Sequence, residues 1–109
     1  MRLQLNTWQR LQLLLLMSNV QGDLRTVNKA LKLIDLLEFS KEEAEKIGLE
    51  ITSAGYYWRD NSCLWEVNIG DGNLASFLKE KVKGRSDWPA RKDVMDLCQK
   101  LEISLDSES

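Results

Sequence analysis

Histidine is absent from these 109 residues. Its absence removes the usual general base, the commonest metal ligand and the one side chain that titrates near neutrality when unperturbed. Cysteine is scarce, with Cys63 and Cys98 the only two. A structural zinc site draws on about four ligands, chiefly Cys and His, so none is expected within one chain. The two cysteines are read as reduced, buried thiols of a cytosolic protein. Proline occurs once, at Pro89. No apolar run approaches the ~20 residues that cross a bilayer. Arg2 and Arg10 beside the apolar stretch 11–17 loosely imitate an export signal, but Ser18-Asn19-Val20-Gln21 makes a poor cleavage site. That stretch reads as buried helix. An excess of one charge is lacking too: 15 basic and 17 acidic residues leave a net charge of −2. Such a balance offers no global attraction to nucleic acid or an anionic membrane and little resistance to self-association.

Tryptophan, by contrast, appears four times, as Trp8, Trp58, Trp65 and Trp88. These large amphipathic side chains anchor small cores and binding surfaces. A hydrophobic share of 43% beside 29% charged residues is that of an ordinary globular chain. At this length roughly two thirds of the unfolded surface is buried on folding, enough for one core without metal or disulfide. The expected organisation is a single α+β domain over residues 1–105 with a polar tail at 106–109.

Asn6 followed by Gln9 has the form of a capping box. The helix it opens, over about residues 7–19, places Trp8, Leu11 and Leu15 on one face. Leu13, Leu14, Leu16 and Met17 make it apolar almost all round, with Gln9, Arg10 and Gln12 as polar relief. Covering every side of such a helix is difficult in a small domain, which points to a homodimer. Gly22 breaks the helix and Asp23 caps the next. That second helix shows an apolar set at Leu24, Val27, Leu31 and Ile34, widened by Ala30, Leu33 and Leu37. Ser40 and Glu43 form a second capping box, flanked by Phe39 and Ala44 as a staple, and Gly48 stops the short helix.

The period then changes. Cys63, Trp65, Val67 and Ile69 alternate with Leu64, Glu66 and Asn68, and Ala54, Tyr56 and Trp58 form a matching set upstream. The spacing predicts an antiparallel hairpin with its turn at 59–62, pairing Trp58 with Cys63, Tyr56 with Trp65 and Ala54 with Val67. Gly55, Tyr57, Arg59, Leu64, Glu66 and Asn68 would face outward. Two helices close the domain. The first runs over about residues 74–83, with Leu74, Phe77, Leu78 and Val82 inward. The second is capped by Ser86 or Asp87, carries Pro89 in its first turn and buries Val94, Leu97, Cys98 and Leu101. The fold class is therefore an N-terminal helix pair plus a short helix, one antiparallel β-hairpin and two C-terminal helices.

Chemistry finds little to work with. Gly70-Asp71-Gly72-Asn73 lacks the Lys-Ser/Thr of a phosphate loop, and no nucleophile elbow or Cys-His or Ser-His pair exists. Asp35, Glu50 and Glu66 are acid–base candidates only by elimination. The expectation is a protein that is not an enzyme, with no catalytic residue, cofactor or metal. Nucleic acid has two hooks. Arg25, Asn28, Lys29 and Lys32 share one face of the second helix, and Lys79, Lys81, Lys83, Arg85, Arg91 and Lys92 outnumber Glu80, Asp87 and Asp93 around Trp88. The helix pair is similar to a helix-turn-helix, but Gln21 and Asp23 flank the turn glycine where apolar residues belong, and Asp23 would approach the phosphates. Protein contact has the better case, through Leu13, Leu16 and Met17 of the first helix and Tyr57 and Leu64 of the outward hairpin face. The leading expectation is a cytoplasmic protein–protein interaction module, homodimeric through the first helix or the hairpin edge. The alternative is a small DNA-binding or regulatory protein using the second helix.

Three segments, Thr7-Trp8-Gln9-Arg10, Leu36-Leu37-Glu38-Phe39-Ser40-Lys41-Glu42-Glu43 and Trp65-Glu66-Val67-Asn68-Ile69, give the chain a layout that resembles small bacteriophage- and prophage-encoded proteins of unknown function. The resemblance implies a bacterial cytoplasmic setting and binding to host or phage proteins. It implies no catalytic or ligand residue.

Overall fold

The computed structural model describes residues 1–59 and 63–103. In chain order these form β1 (Arg2–Asn6), α1 (Thr7–Ser18), α2 (Leu24–Leu37), α3 (Lys41–Ile47), β2 (Glu50–Thr52), β3 (Gly55–Tyr57), β4 (Leu64–Asn68), α4 (Gly72–Gly84) and α5 (Lys92–Lys100). The architecture is α+β, with three helices, an antiparallel hairpin and two closing helices. Residues 60–62 of the expected turn at 59–62, and the polar tail at 106–109, lie outside the described residues.

The strands pair differently from the local hairpin that alternation suggested. β4 pairs not with the segment just before it but with β1, antiparallel, so that Leu5 lies opposite Trp65 and Leu3 opposite Val67. These four side chains turn inward and are buried, while Gln4, Leu64 and Glu66 turn outward. β1 itself is an addition. Leu3 and Leu5 alternate over only five residues and run directly into α1, too short a signal to announce a strand. Tyr56 finds its partner in Ile51, and Thr52 lies opposite Gly55, so the hairpin of the molecule is β2–β3.

α1 occupies the centre, in contact with β1, β4, α2, α4 and α5. Its capping box is present: Gln9 N–H donates to Asn6 Oδ1 at 2.8 Å, and Asn6 N–H donates to Gln9 Oε1 at 3.0 Å. Leu11, Leu13 and Met17 are buried among its neighbours, each side chain stabilising the fold by about 1.5–3 kcal/mol. The chain thus buries much of this apolar helix by itself, leaving Leu14, Leu15 and Leu16 half-buried, so its girth does not require a second copy. Leu13 and Met17, expected as interface residues, are core residues instead, and Leu16 is half-buried against the core.

α2 buries Ala30, Leu33 and Leu37, whereas Leu24 and Leu31, expected inside, face solvent. Eight apolar residues were available to choose from, and packing selected the set that meets α1 and α4. α3 follows expectation from end to end. Ser40 Oγ accepts from Glu43 N–H, and Gly48 closes the helix at φ 64°, with Leu49 N–H donating back to the Ala44 carbonyl. α4 buries Leu74, Phe77, Leu78 and Val82 as predicted. α5 starts later than expected, at Lys92, so Ser86 and Asp87 do not cap it and Pro89 precedes it. The intervening segment is held by its own contacts. Trp88 Nε1 donates to the Val82 carbonyl, and the Arg85 guanidinium lies 4.1 Å from the Trp88 ring centroid while pairing with Asp87 at 2.6 Å.

Candidate interaction surface

Two polar networks fix the frame around α1. Gln9 is fully buried, yet every valence of its amide is met. Nε2 donates to the Asp93 carbonyl and to Asp96 Oδ2, and Oε1 accepts from Asn6 N–H and Lys100 Nζ. Arg10 is buried on the adjoining side. Its Nε and Nη2 donate to the carbonyls of Leu37 and Glu38 at the end of α2, and its fork meets both carboxylate oxygens of Glu43 at 3.1 Å. The guanidinium also lies 4.1 Å from the ring centroid of Phe39 and 5.2 Å from that of Trp65. One side chain thereby ties the C-terminus of α2 to the capping box of α3. The Arg10 hydrogen bond holds the Glu43 carboxyl below its ordinary range, and Gln9, then Lys100, does the same for Asp96. Gln9 and Arg10, expected as solvent-facing relief, are internal braces.

α3, fixed in this way, carries the β2–β3 hairpin. Among the described residues no other helix or strand packs extensively against the hairpin. Its last residues are tied back by Arg59 N–H donating to the Ile47 carbonyl at 2.8 Å. The Arg59 guanidinium lies across Gly48, where a Cβ would fall 2.2 Å from Nε. A groove opens on either side of this arm. One, of about 310 Å³, is lined by Leu11, Leu14, Phe39, Leu49, Ile51 and Tyr56 with Glu38 at its margin. The other, of about 590 Å³, is lined by Tyr57, Trp58, Arg59, Lys41, Glu45 and Glu50 among others. Ile51 is 71% exposed and Tyr57 53% exposed, on opposite faces of the hairpin.

Of the sequence-derived contact residues, Tyr57 therefore sits on the arm. Leu64, 64% exposed, stands apart on the outer face of β1–β4. Ile51 was missed, because Glu50-Ile51-Thr52 is too short to register as an alternating strand. Arg25, Asn28, Lys29 and Lys32 are all exposed on α2. The second basic cluster is largely engaged within the chain. Lys79 pairs with Glu102, Arg85 with Asp87, and Arg91 with Asp93 while lying 4.2 Å from the Trp8 ring centroid.

Both cysteines are thiols rather than halves of a disulfide, and burial pushes the Cys98 thiol up, away from the thiolate. The described residues bring no three potential metal ligands together, and no helix among them is long and apolar enough to cross a membrane. No protein-family model matches the chain, and no curated protein sequence or solved structure shows significant similarity to it.

Proposed function

We propose that this chain is a small protein–protein interaction module whose principal contact surface is the β2–β3 arm and the apolar groove beneath it. The observation that carries the reading is the exposure of Ile51 and Tyr57 on an arm against which no other helix or strand among the described residues packs extensively, with Ile51 at a groove lined mainly by apolar side chains. Solitary exposed apolar residues mean little, but an apolar groove edged by the exposed Ile51, with Tyr57 exposed on the other face of the same projecting element, fits the pattern of a protein contact site. Small-molecule pockets enclose most of their ligand and place a few convergent polar groups; among side chains the groove under the arm offers only Glu38 and the Tyr56 hydroxyl. The partner is a host or phage protein in a bacterial cytoplasm, as the resemblance of the sequence implies.

Self-association has one observation in its favour. Among the described residues β2 pairs only with β3, so each strand keeps an open edge on which a second copy could add its own hairpin. The nucleic-acid alternative keeps its four side chains on the solvent face of α2.

Affinity capture from native cytosol, with and without nuclease, tests all three. The native chain is expected to retain a partner that survives nuclease and is lost from the Ile51→Asp, Tyr57→Ala variant. Retention indifferent to that variant, or abolished by nuclease, would overturn the reading. Sedimentation of the isolated chain at tens of micromolar tells a second copy from a foreign partner.

A further inference from the structure

α2 presents a second surface, independent of the hairpin. Leu24 is 87% exposed and Leu31 54% exposed. They stand seven residues apart, so they lie two turns apart on one stripe, about 10.5 Å along the axis. Asn28 lies between them, and Arg25, Lys29 and Lys32 flank them, all exposed. From α4, Lys81 joins this cluster. Its Nζ lies 5.3 Å from the Phe77 ring centroid, and Lys29 Nζ lies 5.8 Å from the same centroid. Two ammonium groups from different helices thus converge on one ring. None of these four cations takes part in an ion pair among the described residues. The carboxylates nearest in sequence are Asp23, engaged with Thr26 at the helix N-cap and only distantly felt by Lys29, then Asp35 and Glu80.

We infer that this face of α2, extended by Lys81, docks an acidic amphipathic helix of a partner protein. The heptad separation of Leu24 and Leu31 matches the apolar seam of an incoming helix, and the unpaired cations beside it complement carboxylates on that helix's flanks. A nucleic-acid backbone fits less well. It would set phosphates against two exposed leucines, and the one ring at hand, Phe77, is buried beneath the lysines rather than offered for stacking.

The test is fluorescence anisotropy with three labelled probes. One is an amphipathic helical peptide with leucines at heptad core positions and glutamates beside them. The second is its lysine counterpart, and the third is duplex DNA. The glutamate peptide is expected to bind, the lysine peptide to fail, and salt to weaken binding. Affinity for the glutamate peptide should fall about tenfold or more in Lys29→Glu, Lys32→Glu and, separately, in Leu31→Asp. All three sites are exposed, so circular dichroism should show unchanged helicity and melting. Failure of the glutamate peptide to bind, equal binding of both peptides, tighter binding of DNA, or indifference to the substitutions would each overturn the inference. So would a homodimer that Leu24→Asp dissociates, because the occupant would then be a second copy.

Discussion

Arg10 is the residue on which the frame of the arm depends, because its guanidinium joins the end of α2 to the start of α3 and fills the space between Phe39 and Trp65. Removing one member of a buried ion pair costs about 3–5 kcal/mol. Arg10→Met should fall toward the lower end, since the Glu43 side chain is 33% exposed and water can solvate it; urea unfolding reads the loss. Glu43 adds a pH dependence of definite sign. Its folded pKa lies below the ordinary 4.5, so its stabilisation is present above about pH 4.5 and disappears as pH falls through the lower folded value. Glu43→Gln should reduce that acid loss, leaving the share that Asp23, Asp87 and Asp96 contribute, all three also held low. At this scale the sequence was least legible. Gln9 and Arg10 read as surface residues because polarity normally marks the surface. What reverses that rule for them is a set of carbonyls and carboxylates more than 25 residues away, which no local pattern displays.

Among elements, the helices carried their punctuation openly. Asn6 with Gln9, Asp23, Ser40 with Glu43, and Gly48 act through local backbone groups, so residue type at fixed spacing was enough to place them. Strand pairing depends on distant partners. The alternation at 64–68 identified a strand, while the aromatic set at 54–58 suggested the wrong neighbour for it. The two leucines of β1 won instead because they complete the inner face that Trp65 and Val67 present. The Leu24 and Leu31 face of α2 escaped for a related reason: an exposed apolar residue looks like a core residue until packing is known. The two antiparallel pairs should also differ in dynamics. β1–β4 lies over the core, whereas among the described residues no other helix or strand packs extensively against β2–β3. In hydrogen exchange, amides of residues 50–57 should therefore exchange well ahead of those of residues 64–68. Equal protection of the two would show that the arm is as firmly held as the core.

For the molecule as a whole, α1 joins both strands of the main sheet to three helices, so the body should unfold as one unit. Far-ultraviolet circular dichroism and tryptophan fluorescence, to which the buried Trp8 and Trp65 contribute together with Trp58 and Trp88, should give coincident urea midpoints. Separated midpoints would divide it into two. The pairing of β1 with β4 also sets the order of events during synthesis. Trp65 Nε1 donates to Thr7 Oγ1 across 58 residues of sequence, and both strands must exist before either is covered. At ~5–20 residues per second, a ribosome needs roughly 3–12 s to make that stretch. For those seconds Leu3, Leu5 and the apolar side of α1 are without the sheet partner that shields them, a site for chaperone capture that closes only when β4 emerges.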